Sequence, residues 1–116
     1  MALEIDRKQA LDLWRDVTVR TVRADEPDLT ARQLAVLMTV YLGPPPHTVR
    51  GLAEKLAVTK PVITRALDTM GRLGLVTRRR DDTDRRNVLV HRTVEGALAV
   101  ERLGDAIQTR HRDLPP

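Results

Sequence analysis

The stretch "LAEKLAVTKPVITRALDTMGRLGLV", Leu52 to Val76, restricts the possible folds of this chain more than any other. Two apolar stripes with a helical repeat lie on either side of a three-residue break. In the first, Leu52, Ala53 and Leu56 form an inner face behind Thr48, which can cap a short helix. In the second, Ile63, Ala66, Leu67, Met70 and Leu73 line one face. Thr59 is placed to cap that helix, and Lys60 and Pro61 fall in its first turn, where a missing N–H costs little. Two helices of about nine and thirteen residues joined by "AVT" predict a helix-turn-helix.

The flanking segments extend this frame. "LTARQL" is a helix start, with Thr30 as N-cap, Gln33 as its capping-box partner and Leu29 and Leu34 as a hydrophobic staple. Leu34, Leu37, Met38 and Tyr41 then predict a buried face, and Gly43 with the triple proline ends it. Upstream, Leu3, Ala10, Leu13, Trp14, Val17 and Thr21 predict an amphipathic helix of about twenty residues, ended by Pro27. Downstream, alternation around Val76, a turn-prone "DDTD" and the β-prone "NVLVH" predict a hairpin with a long charged tip. Thr93 can cap a last helix, with Val94, Leu98, Val100, Leu103 and Ile107 as buried candidates.

The expected fold is therefore mainly α with a small β-hairpin wing, in one domain over residues 1–116. A core at 29–96 carries the helix-turn-helix, and helices in 1–28 and 94–116 lie outside it. At 116 residues the chain can bury roughly two-thirds of its unfolded surface in a single core.

Composition removes several chemistries. The chain has no cysteine and no serine, which excludes disulfides, zinc-thiolate sites and serine or cysteine nucleophiles. His47, His91 and His111 are scattered without helical pairing, so no metal site and no cofactor is expected. "DDTD" opens like a calcium loop but lacks the glycine and closing glutamate that such a loop needs. With one Trp, one Tyr and no Phe, the chain is poorly equipped to stack single-stranded RNA bases. An enzyme is the least expected reading. No secretory signal opens the chain and no run approaches the ~20 apolar residues of a membrane helix, so a soluble, cytoplasmic protein without membrane contact is expected.

Charge is unevenly placed. Residues 29–92 carry a net +7 while the two flanks together carry −3. Lys60, Pro61, Thr64, Arg65 and Asp68 share the helix face opposite the apolar stripe, the arrangement of a major-groove reader in which an arginine bonds a guanine edge. In "RRRDDTDRRNVLV", Arg78 to Val90, five arginines crowd a hairpin. Exposed ion pairs contribute only ~0–1 kcal/mol each, so such a cluster does little for stability. Beside a reading helix it can reach phosphates and a narrow minor groove.

"LTARQLAVL", "LAEKLAVTKPVITRALDTMGRLGLVTRR" and "DDTDRRNVLVHRTVEG", in this order, resemble the winged helix-turn-helix of MarR-type transcription regulators, from about Leu29 to Gly96. The resemblance implies a homodimer on a near-palindromic double-stranded DNA operator. It places Thr64 and Arg65 in the major groove, Arg86 at the minor groove and Asp84 as a partner of Arg86 within the wing. Thr59, Lys60, Pro61, Val62, Arg78 and Arg85 complete the expected DNA-contacting set. Dimerisation is expected from the flanking helices, through Leu13, Trp14, Val17, Leu103 and Ile107. No small-molecule effector is assigned.

Three features depart from the family pattern. Pro61 and Val62 stand where small polar residues are usual, which suggests apolar contact with a thymine methyl. Arg92 stands where a leucine before Thr93 is usual, which bears on the packing of the last strand, and only 23 residues follow Thr93, which suggests a reduced dimer interface. The alternative function is a winged helix used as a protein-docking module, its basic face meeting an acidic partner.

Overall fold

The computed structural model describes residues 4–116. Its elements run α1 (Arg7–Arg23), α2 (Ala31–Leu42), β1 (His47–Thr48), α3 (Val49–Leu56), α4 (Lys60–Arg72), β2 (Val76–Arg80), β3 (Val88–Arg92) and α5 (Val94–Arg112). Two compact units are present, one formed by Leu29–Val100 and the other by the residues up to Asp28 together with Glu101–Pro116.

Most helix starts follow from local chemistry. The Thr30 hydroxyl accepts from the Gln33 amide at 3.1 Å while the Gln33 side chain accepts from the Thr30 amide at 2.9 Å. Asp6 and Gln9 build the same reciprocal box at the head of α1. Leu3, one of the apolar positions assigned to this helix, lies outside the described residues. Thr48 caps α3 by accepting from the Gly51 amide, and Thr93 caps α5 by accepting from the Gly96 amide, both at 2.9 Å. Each such cap contributes about 1 kcal/mol.

Both helices of the helix-turn-helix end in paired backbone bonds of the Schellman type. At α3, Val58 N–H reaches the Ala53 carbonyl at 3.0 Å and Ala57 N–H the Glu54 carbonyl at 3.2 Å. The reversal needs a left-handed residue, and Ala57 supplies it at φ 55°. At α4, Leu75 and Gly74 bond back to Met70 and Gly71, and here a glycine takes the positive φ, 75°. The first turn costs about 1–2 kcal/mol of strain that a glycine would spare, so the packing of α3 on α4 must hold it.

The larger unit encloses one core of Val36, Leu37, Val40, Leu52, Ala53, Ile63, Leu67, Met70, Val76 and Val90. α4 delivers its predicted stripe, except that Leu73 is only half-buried. For α2 the expected face is rotated. Leu34, Met38 and Tyr41 are half-buried, whereas Val36, Leu37 and Val40 are buried, because α2 meets α3, α4 and β3 and its inward side is set by all three. The sheet also has a third strand. β1 pairs antiparallel with β3 through His47↔Val90 and Thr48↔Leu89, giving the order β1-β3-β2.

In the other unit, Val17 and Ala106 are buried, and Arg102 Nε bonds Glu26 Oε1 at 3.0 Å. Two expected buried positions of α5 are wrong. Val94 is 78% exposed and Leu98 46%, whereas Ala106, too small to stand out in a hydrophobicity pattern, is buried.

Arg92 is accommodated by polar contacts. Its Nε donates to the Val40 carbonyl at 2.8 Å and its Nη2 to the Gly43 carbonyl at 2.9 Å, and the guanidinium lies 5.9 Å from the centre of the Tyr41 ring. A cation thus satisfies carbonyls at the end of α2, where the helix dipole favours positive charge. A leucine here could not do this.

Candidate nucleic-acid interface

The exposed side of α4 is assembled by the same periodicity that buries its other side. With Ile63, Ala66, Leu67 and Met70 turned inward, Lys60, Pro61, Thr64 and Arg65 are exposed on the opposite side. Lys60 and Arg65 enter no ion pair among the described residues. Thr59 occupies the N-cap position, but its hydroxyl makes no capping bond, contrary to the expectation. Its carbonyl instead accepts from the Val62 and Ile63 amides at 3.1 and 3.3 Å. The hydroxyl is left exposed at the positive end of the helix dipole.

Val62 differs from its neighbours. It is half-buried and lines a groove of about 900 Å³ with Thr30, Arg32, Gln33, Arg65 and Thr69, between the start of α2 and the flank of α4. Arg65 is therefore at the edge of a concave surface shared with the α2 N-terminus. Arg32 joins it there and was missed in the sequence, where nothing local relates it to α4.

The wing tip, residues 81–87, is held by its own acids. The Asp81 amide donates to the Asn87 carbonyl at 3.0 Å, closing the loop. Asp81 Oδ1 accepts from the Thr83 hydroxyl at 2.7 Å and the Thr83 amide at 2.9 Å. These bonds hold the Asp81 carboxyl below the usual carboxylate range, the hydroxyl contributing most. Asp84 accepts from Arg86 Nε and Nη2, each at 3.0 Å, and from its amide at 3.1 Å. The fork lowers the Asp84 carboxyl and raises the Arg86 guanidinium. The Arg50 charge lowers Asp84 further. Arg50 was not singled out in the sequence, although an exposed cation two residues after the Thr48 cap was a usable signal.

The arginines of the hairpin consequently divide. Arg79 pairs with Asp82 at 3.1 Å, Arg80 donates to the Arg85 carbonyl at 2.6 Å, and Arg78 pairs with Asp68 of α4 at 2.7 Å. The Arg85 side chain is exposed and makes no hydrogen bond among the described residues. Arg78, expected as a free contact, is engaged because β2 runs beside α4 and brings it to a carboxylate.

His47 is buried with its Nε2 3.2 Å from the Gly43 carbonyl, and His91 is exposed. Among the described residues no helix is long and apolar enough to cross a membrane.

Of the residues expected at a dimer interface, Leu13, Leu103 and Ile107 are half-buried and Trp14 is 56% exposed. Val17 is 2% exposed, so its side chain is used within its own unit and is not available to a second copy. The exposed apolar stripe of α1 is Leu11 at 63%, Trp14 at 56% and Val22 at 74%, at i, i+3 and i+11. Leu11 and Val22 lie one face round from the apolar repeat that the sequence suggests.

Residues 28–87 match the MarR family model. The chain belongs to the MarR family. A stretch of 58 residues is 38% identical to the organic hydroperoxide resistance transcriptional regulator of Bacillus subtilis (strain 168), over 50% of this chain and 40% of that protein. The match thus spans less than half the length of that relative. Among solved structures, a MepR–DNA complex from S. aureus resembles the chain with a TM-score of 0.74 at 21% identity, covering 89% of this chain and 82% of that one. The transcriptional repressor CouR bound to a 23-mer DNA duplex gives 0.71 at 25% identity, with 92% and 72% covered. MarR-family transcriptional regulators are non-enzymatic DNA-binding proteins, and the winged helix-turn-helix seen here is their fold.

Proposed function

We propose that this chain is a sequence-specific, double-stranded DNA-binding transcriptional regulator acting as a homodimer on a near-palindromic operator. The observation that carries the reading is the head of α4, where Thr59, Lys60, Thr64 and Arg65 are exposed together and neither cation enters an ion pair among the described residues. In this reading α4 enters the major groove, with Arg65 on a guanine edge and Pro61 offering apolar contact to a thymine methyl. Arg85 and the Arg86–Asp84 pair approach the minor groove and backbone, the aspartate holding the Arg86 fork in one orientation. Arg50 and Arg32 add backbone contacts that position the domain.

Selection of bound fragments from the host genome, followed by footprinting, tests this. Two protected half-sites about one helical turn apart, ~34 Å, are expected. Affinity should fall with salt at ~0.9 log units per phosphate neutralised. Absence of any preferred fragment at ~150 mM salt would favour a protein-docking role instead.

The exposed α1 stripe supports the dimer. Trp14→Glu is expected to yield monomers in sedimentation, because a buried tryptophan anchor contributes about 2 kcal/mol or more, roughly a thirtyfold change in dimer dissociation. An unchanged mass would remove α1 from the interface.

A further inference from the structure

Asp68 stands out on the surface proposed to meet DNA. It sits about one turn beyond Thr64 and Arg65 on α4, so a bare carboxylate there would face the same phosphates as the cations. Its Oδ1 instead accepts a 2.7 Å bond from Nη2 of Arg78, ten residues later in β2. Among the described residues this is the one ion pair that joins α4 to a wing strand; the Arg79–Asp82 and Arg86–Asp84 pairs close within the hairpin itself. Both side chains keep partial exposure, 32% for Arg78 and 45% for Asp68, so the pair remains within reach of a polyanion.

We propose that Asp68 is a specificity-determining positioning residue, which withholds the Arg78 cation from the DNA backbone and ties the wing strand to the recognition helix. The inference rests on the DNA-reading function proposed above. Backbone attraction is indifferent to sequence and grows with each phosphate neutralised, whereas base contacts alone discriminate. A cation already balanced by a carboxylate adds little to the first and leaves the second intact. Asp68 touches no base in this scheme; it acts through Arg78. Holding β2 against α4 also fixes how far the tip stands from the helix that reads the bases.

The test is fluorescence anisotropy of the whole chain on a random-sequence duplex and on the wild type's preferred genomic fragment, across a salt series. Asp68→Asn preserves shape and removes the charge. It is expected to steepen the salt dependence on random duplex by ~0.9, to tighten that binding about eightfold at ~0.1 M salt, and, because β2 is no longer tied to α4, to lower the preference for the genomic fragment. Adding Arg78→Gln to Asp68→Asn should restore the wild-type slope. If Asp68→Asn keeps the wild-type slope, or weakens both duplexes equally, the role assigned to Asp68 is overturned while DNA reading stands. If the wild type binds no duplex even at low salt, the DNA-reading function falls, and this inference falls with it.

Discussion

Replacing Arg65 with alanine should weaken binding to the preferred operator by about 1–3 kcal/mol, roughly 5- to 150-fold, while binding to random duplex changes far less. The contrast follows from where Arg65 sits. It is exposed on the face of α4 opposite Ile63, Leu67 and Met70, and among the described residues no carboxylate holds it. A guanidinium presented this way can make two parallel bonds to one base edge, an interaction that disappears on the wrong base. Parallel titrations of the two duplexes by anisotropy check the expectation. An equal loss on both would mean that Arg65 touches only the backbone and that sequence is read elsewhere.

Gly96→Ala should destabilise the fold by about 3 kcal/mol, toward the upper end of what overpacking a core site costs. Gly96 is buried in the first turn of α5, and a β-carbon there would fall on the Tyr41 hydroxyl and the Leu75 carbonyl. That hydroxyl is a junction. It donates to the Leu75 carbonyl at 2.7 Å and accepts from the Thr93 amide at 2.9 Å, and so joins the end of α2 to the roots of both wing strands. Displacing it leaves buried polar groups unpaired in addition to the steric clash. Denaturant unfolding of the variant would show a lower midpoint at unchanged slope, and an unchanged midpoint would mean that Tyr41 moves aside without cost. Function should follow stability here, because the wing is rooted at this junction and α4 ends next to it.

The division between what was legible in the residues and what was not follows the distance over which each interaction acts. Capping boxes, the proline in the first turn of α4 and the apolar stripe of that helix depend on groups three or four residues apart, so the order of residues alone prescribes them. The positions of the helix-turn-helix, the charged hairpin and the exposed face of Lys60, Thr64 and Arg65 could be derived for that reason. Ala57 escaped notice because nothing marks an alanine as left-handed; the packing of α3 on α4 imposes that conformation. Leu34, Met38 and Tyr41 are shallower than their spacing suggests because a periodic pattern gives the phase of a helix face only to within one neighbouring position, and α2 has three partners, α3, α4 and β3. The bonds of Arg92 to Val40 and Gly43 span as many as 52 residues, the Arg78–Asp68 pair spans ten, and β1 exists only because β3 lies beside it. Those contacts form when the chain is folded back on itself, and their free energies depend on relative placement that no local rule encodes.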